Sequence, residues 1–487
     1  MPAHTHSHGP VTGPDGEVRP PDPAAVARRR RAVRLMLVVL VPIGVATLLG
    51  LFLLWPSSGQ TAAQQAAESF MPPGTTYPEA TIASLETYEC AEATGNAPAQ
   101  ACAQAVMVIA EGESAGDYVQ VDLPPEVVAE GVEVGDELVL NRDPGVETGE
   151  VTYNFQDFPR GTPIVVLALA FTAVVGAVAR LRGLLALLGL GVAFVVLLQF
   201  MLPALLDGGP PVWVSLVGSS AIMFVVLYLA HGFSARTTTA LLGTLFGLAL
   251  SAVLGAVAVA VARLTGFSSE ETIQLQTFDP SLDFSGLVLA ALVVAGLGIL
   301  NDVTITQASA VWQLHEASPA AGWLELFRRG MAIGRDHIAS TVYTIVFAYA
   351  GASLPLLLLF EIYQRPFWTT LTSSEVGEQV IGTLVAGIAL VLAVPVTTLI
   401  GALVAAAAAG GRTTPGADAD EPATGRPVSA AAGGARAAGP ADAAPRRAGG
   451  HPSGRRPADG PRTGVRGPRD EPGSGPATGT PRPRDPR

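Results

Sequence analysis

The chain has 487 residues, 49% hydrophobic and only 14% charged, with a mean hydropathy of +0.41. Those values exclude an ordinary soluble domain and fit a protein that crosses a membrane many times. The formal net charge of −12 describes no single surface, because acidic and basic residues are segregated along the chain, and all of the strongly basic residues are Arg.

Residues 1–34 read as a cytoplasmic tail without the apolar content to fold. It carries "HTHSH", and His4, His6 and His8 could chelate a divalent metal. A flexible tail offers no surrounding groups to fix ligand geometry, however, so a solvated polar segment is the plainer reading and no metal site is expected. The first apolar run, 35–55, is too long for a cleaved secretory signal core and is expected to be transmembrane helix one.

Residues 56–160 form an acidic stretch with 18 Asp and Glu against two Arg. Within it "AQAVMVIAEG", "DYVQVDLP" and "DELVLNR" are short, partly alternating, Val-rich runs separated by Gly, Pro and Asp, and "EVGDELVL" and "GVETGEVTYNF" continue the pattern. A small β-barrel-like domain of about five strands is expected. Its acidity could attract cations, or simply keep the surface soluble. The only two cysteines, Cys90 and Cys102, both fall here on the oxidising side, and a disulfide between them is the natural reading.

Residues 161–410 are expected to be a seven-helix membrane domain. Its apolar runs lie near 162–180, 183–205, 211–231, 238–262, 285–308, 338–360 and 380–408, each long enough to span about 30 Å of hydrocarbon. Twelve Arg (28–31, 34, 180, 182, 236, 328, 329, 335 and 412) fall on one set of flanks. The opposite set holds three: Arg160, Arg263 and Arg365. The asymmetry predicts both termini in the cytoplasm. The Gly/Pro/Ala/Arg-rich stretch 411–487 is expected to be disordered.

One run departs from the pattern. Fourteen apolar or small residues (Leu287–Leu300) are followed by Asn301 and Asp302. A carboxylate on a lipid-facing position costs about 2.5–3.5 kcal/mol on insertion scales, so such residues usually face a bundle interior or a cavity. At 100° per residue Ala295, Gly298, Asp302, Thr306, Ser309, Gln313 and Glu316 share one small or polar stripe, which is expected to turn inward. In the next helix Arg335 is the obvious partner for Asp302, although it could equally snorkel as a flanking positive charge. His337 adds an imidazole beside them, and Asp336, Ser340, Tyr343 and Phe347 share a face.

The segments "GLGILNDVTITQASAVWQL", "GRDHIASTVYTIVFAYAGASLPLLLLF" and "GTLVAGIALVLAVPVTTLIGALV", with "NFQDFPR" ahead of helix two, give the chain its resemblance to the YibE/F-like family of bacterial membrane proteins over about 35–408. The resemblance implies a multi-pass membrane protein of the kind often suspected of transport, and supplies neither substrate nor assigned catalytic residues. Asn301 stands where a hydrophobic residue is expected before the Asp. Independently, "GTLFGLAL" (243–250) echoes "GTLVAGIAL" (382–390), which would make helices 3–5 and 6–8 a 3+3 inverted repeat.

The chain has no Walker loop, no Ser or Cys elbow and no nucleotide-binding glycine pattern, so no enzyme activity and no cofactor are expected. The leading expectation is a secondary transporter or channel for an ion or small solute. Its path would run past Asn301, Asp302, Thr306, Ser309, Gln313, Arg335, Asp336 and Tyr343. The alternatives are a non-transport envelope scaffold or sensor whose β domain binds a partner, and an intramembrane hydrolase pairing Asp302 with Asp336. Expected partners are the bilayer, the solute and a second copy of the chain, not nucleic acid.

Overall fold

The computed structural model describes residues 23–57, 59–68, 71–91, 100–145 and 149–409. The expectations for the C-terminal stretch, Arg412, His4, His6 and His8 fall outside these residues. Helix α1 (Pro23–Leu53) begins about a dozen residues before the expected span. Its added turns are rich in Ala and Arg, both strong helix formers, with Pro at the start where no N–H partner is needed. Polarity alone had assigned them to a tail. The short α2 (Ala62–Ala67) is capped reciprocally by Thr61 and Gln64.

Strands β1 (Glu79–Ala91), β2 (Gln100–Ile109), β3 (Tyr118–Leu123), β4 (Glu137–Asp143) and β5 (Thr152–Asp157) form one antiparallel sheet. Its order is β3-β2-β1-β4-β5. Helix α3 (Pro125–Ala129) drops Val127 into a core made by Ala80, Ile82, Met107, Leu123, Leu138 and Leu140. The sheet is open, not a closed barrel. The six-residue edge strands β3 and β5 draw near each other but share no ladder. The central strand β1 is the one the alternation did not single out. Its pattern breaks at a bulge after Ile82, from Ser84 onward it pairs only with β2, and past Thr87 the two strands project beyond the core as a ribbon. The Cys90–Cys102 disulfide staples the tip of that ribbon, with Cα atoms 5.5 Å apart.

Helix α4 (Gly161–Val196) is not one span. Arg180 has φ 56° and ψ −143°, off the helix. A Cβ on Gly183 would lie 2.7 Å from Val175 Cγ1 and 3.0 Å from its carbonyl oxygen. Eight positions along an unbroken helix are about 12 Å apart, so the chain doubles back at Arg180. The second arm passes through a π turn at Leu197–Met201 into α5 (Leu202–Leu206). Pro203, which has no N–H to complete the regular ladder, accounts for the widened turn.

Then follow α6 (Pro211–His231), α7 (Ala235–Ala262), α8 (Glu270–Phe278), α9 (Phe284–Ala317) and α10 (Trp323–Ala352). They are succeeded by α11 (Leu354–Ile362), α12 (Phe367–Leu371) and α13 (Ser374–Ala409). Among the described residues six helical segments are long and apolar enough to cross a membrane, and α10 with α11, bent by 65°, makes up to a seventh, against the eight spans expected. Two of the expected runs fall on the two arms of the α4 hairpin. The seventh starts at Trp323, earlier than expected. The chain is thus mainly helical and fits a polytopic membrane protein carrying a small β domain.

Side-chain ties show how the arms alternate. Ser57, just after α1, gives its backbone N–H (2.7 Å) and hydroxyl (2.9 Å) to Asp207, just after α5. These bonds hold the Asp207 carboxyl below its usual range. Glu378, at the start of α13, accepts from Gly266 and Ser268 beyond α7, and α2 packs on α8. All of these connectors therefore share the side of the bundle that bears the β domain. There Asp157 accepts from the Phe158 N–H and, at 2.5 Å, from Arg160, which together depress its pKa.

The centre of the bundle is α7, α9 and α13, flanked by α6 and α10. Helix α1 leans on α6 at Gly44 and Gly50 and also packs along α13, and an apolar trough of about 1250 Å³ lies between these helices and α7. The packing is not that of an inverted repeat. Helix α9 runs closely along α7, whereas its counterpart, the second arm of α4, makes at most glancing contact with α13.

Candidate functional site

Glycines bring the central helices together at the level where polar residues collect. Gly243 of α7 abuts Thr397 and Thr304, Gly247 abuts Leu300, and Gly334 of α10 abuts Val394 and Gln307. In this seam Thr244 and Thr304 share a 2.6 Å hydrogen bond. The Gln307 amide donates to the Gly330 carbonyl at 2.8 Å and to the Thr398 hydroxyl at 2.7 Å. Thr244, Thr304, Gln307 and Thr398 are all buried. Buried hydrogen bonds of this kind hold membrane helices in register.

The seam also fixes the depth of Asp302. Thr244 is nine positions into α7, or about 14 Å at 1.5 Å per residue, and Asp302, two residues before Thr304 on the oppositely running α9, lies about 3 Å farther from the start of α7. In a 30 Å hydrocarbon core starting near the first turn of α7, that is close to half depth.

On α9 the stripe turns the other way from expectation. Ala295, Gly298, Asp302, Thr306, Gln313 and Glu316 are exposed and Ser309 is half-buried, while Leu300, Val303, Thr304, Gln307, Ala308 and Val311 pack inward. The correction has a simple physical cause. Thr304 and Gln307 form a second polar series, Thr304 lying two residues, or 200°, from both Asp302 and Thr306, and Gln307 about 140° around the helix from Asp302. Periodicity identifies residues that share a face but not which face is buried. The inward series, Leu300-Thr304-Gln307-Val311, is the signal the sequence reading passed over.

Asp302 is 68% exposed, and its neighbour is the imidazole of His337, with Oδ2 at 3.9 Å from Nε2. Thr306 Oγ1 is 3.4 Å from the same nitrogen. The Thr306 hydroxyl donates to the backbone carbonyl of Asp302 at 2.7 Å, not to its carboxylate. Arg335 is not the partner. It is exposed and makes no ion pair among the described residues, and it follows Gly334 at the level of Val394 and Gln307, within the bundle and not at its mouth. Asp336 and Tyr343 are exposed on α10, and Asp336 makes no hydrogen bond to Asp302 among the described residues. Asn301 points its side-chain oxygen into a buried position without a hydrogen-bond partner. The structure thus gathers Asp302, Thr306 and His337, leaves Asp336 and Tyr343 exposed on the outer side of α10 and Arg335 on its far flank, and separates Ser309 and Gln313 along α9.

The helices that make this arrangement lie inside residues 167–407, which match the family model of YibE/F-like proteins. The membrane domain belongs to that family. No curated protein and no solved structure matched the chain. In this YibE/F-like protein the β domain precedes the matched region and carries a cleft of about 590 Å³ lined by Tyr77, Glu111, Glu113, Arg142 and Tyr153 among others. Among the described residues no group of three or more His, Cys, Asp or Glu is arranged to hold a metal ion.

Proposed function

We propose that this protein is a secondary transporter or channel for an ion or small solute, working in a bacterial plasma membrane with both termini in the cytoplasm. The observation that carries the reading is the Asp302–His337 approach at 3.9 Å, near half depth, with Thr306 beside the same imidazole. A carboxylate and an imidazole so placed form a proton- or cation-exchanging pair. The unpartnered Asn301 oxygen adds an acceptor one residue away. The distribution of Arg supports the orientation. No nucleotide loop or nucleophile motif is present, which favours moving a solute over converting it. The test is flux into proteoliposomes across a panel of ions and amino acids. Asp302→Asn is expected to abolish flux while leaving the melting temperature within a few degrees of wild type. Full flux from Asp302→Leu would sink the reading.

The cleft beside Arg142 favours a second reading, an envelope scaffold or sensor whose β domain binds a partner. In that case Arg142→Ala removes function and Asp302→Asn is silent.

A further inference from the structure

We infer that the outer face of α9 and α10 is the contact surface between two copies of this chain, and that the ionisable cluster upon it is completed only by the second copy. Four ionisable groups lie across that surface near half depth: Asp302, 68% exposed, with His337 at the α9–α10 seam, exposed Asp336 on the outer side of α10, and exposed Arg335 on its far flank, 200° around the helix from His337. Within the chain only Asp302 and His337 approach each other, and among the described residues Arg335 and Asp336 form no ion pair. Other outward surfaces of comparable helices are apolar, as at Val165, Leu169, Val178, Leu188 and Val195 of α4. Lipid can cover those residues. It cannot pair a guanidinium with a carboxylate.

The face is complementary to itself, which selects the partner. It holds two carboxylates, one guanidinium and one imidazole. A two-fold axis, the usual symmetry of a pair of identical chains, sets the Arg335 of one copy against the acidic groups of the other. Close approach is also open to it. Ala295, Gly298 and Ala339 are exposed, and a Cβ built on Gly298 would meet nothing within 4 Å. Small residues at such positions let membrane helices meet backbone to backbone. Tyr343, 66% exposed beyond Asp336, supplies a large side chain at the edge of the same surface.

The experiment reads copy number without any flux, so its outcome is independent of the transport reading. The full chain in lipid nanodiscs is weighed by native mass spectrometry, and a two-copy mass is expected. Tyr343→Cys, oxidised in native membranes, should form a covalent dimer, whereas Val178→Cys, 81% exposed on the apolar hairpin, should not. Arg335→Asp should lower the two-copy fraction roughly tenfold, and Arg335→Lys much less. A single-copy mass for the wild-type chain overturns the assignment, as does Tyr343→Cys crosslinking no better than Val178→Cys. Complete labelling of Tyr343→Cys by a membrane-impermeant thiol reagent would also overturn it, making the face an open aqueous vestibule.

Discussion

Gln307 and Asp302 are five residues apart on one helix and pose opposite physical problems. Gln307 is 2% exposed and its amide serves two acceptors on two other helices. Gln307→Leu removes both bonds, each worth about 0.5–1.5 kcal/mol, while the Gly330 carbonyl keeps its place in the ladder of α10. A thermal melt in detergent should show the loss, and an unchanged midpoint would deny the seam a structural role. Glycines give a paired contrast. At Gly243 a Cβ would sit 2.0 Å from Thr397 Oγ1, while at Gly298 it would meet open space. Gly243→Ala should therefore destabilise by about 1–3 kcal/mol through forced separation of α7 and α13, and Gly298→Ala should be neutral or slightly stabilising. Asp207 adds a pH dependence. Its carboxyl is depressed by the Ser57 N–H and hydroxyl, so the tie stabilises the folded chain above the unfolded carboxyl's pKa and is lost as pH falls through the folded value. Protection of the Ser57 amide, relative to its intrinsic exchange rate, should fall on acidification through that depressed value, below about pH 4, the ordinary Asp range, and protection that persists there would refute the tie.

At the scale of elements, hydropathy located every membrane-length arm, because twenty apolar residues have few other uses. It could not place ends. Arg and Ala continue α1 toward the N-terminus, and the amphipathic first turns of α10 read as a loop because Arg328 and Arg329 lie there. Alternation found the strands whose inner residues are Val, Leu and Met but not β1, whose outer half carries Glu86, Glu89 and Tyr88 away from any core. The candidate site was half legible. A buried-looking Asp marked the right helix, but the choice of partner, His337 and not Arg335, depends on how α10 is rotated against α9, which one sequence does not specify. The ribbon makes its own prediction. Breaking the Cys90–Cys102 bond, which closes a loop of about a dozen residues worth roughly 3 kcal/mol, should expose amides of residues 85–91 and 100–104 to exchange. Equal loss of protection across β4 and β5 would show instead that the bond supports the whole sheet.

For the whole molecule, the ties from Ser57 to Asp207 and from Glu378 to Gly266 and Ser268 knit connectors distant in sequence into one rim beneath the β domain, while the Arg180 turn and the chain between α9 and α10 belong to the opposite rim. Absolute orientation then reduces to one bit. A reporter placed in the α9–α10 connection is expected to be cytoplasmic, and an extracytoplasmic signal there would invert the arrangement. The stapled ribbon offers a way to watch that bit being set. Thiols oxidise only after they leave the reducing interior of a cell, and Cys90 and Cys102 are the chain's only pair. In a newly made chain, the first appearance of the bond on a non-reducing gel would therefore time-stamp the passage of the first large loop across the membrane, before the remaining arms have threaded in behind it.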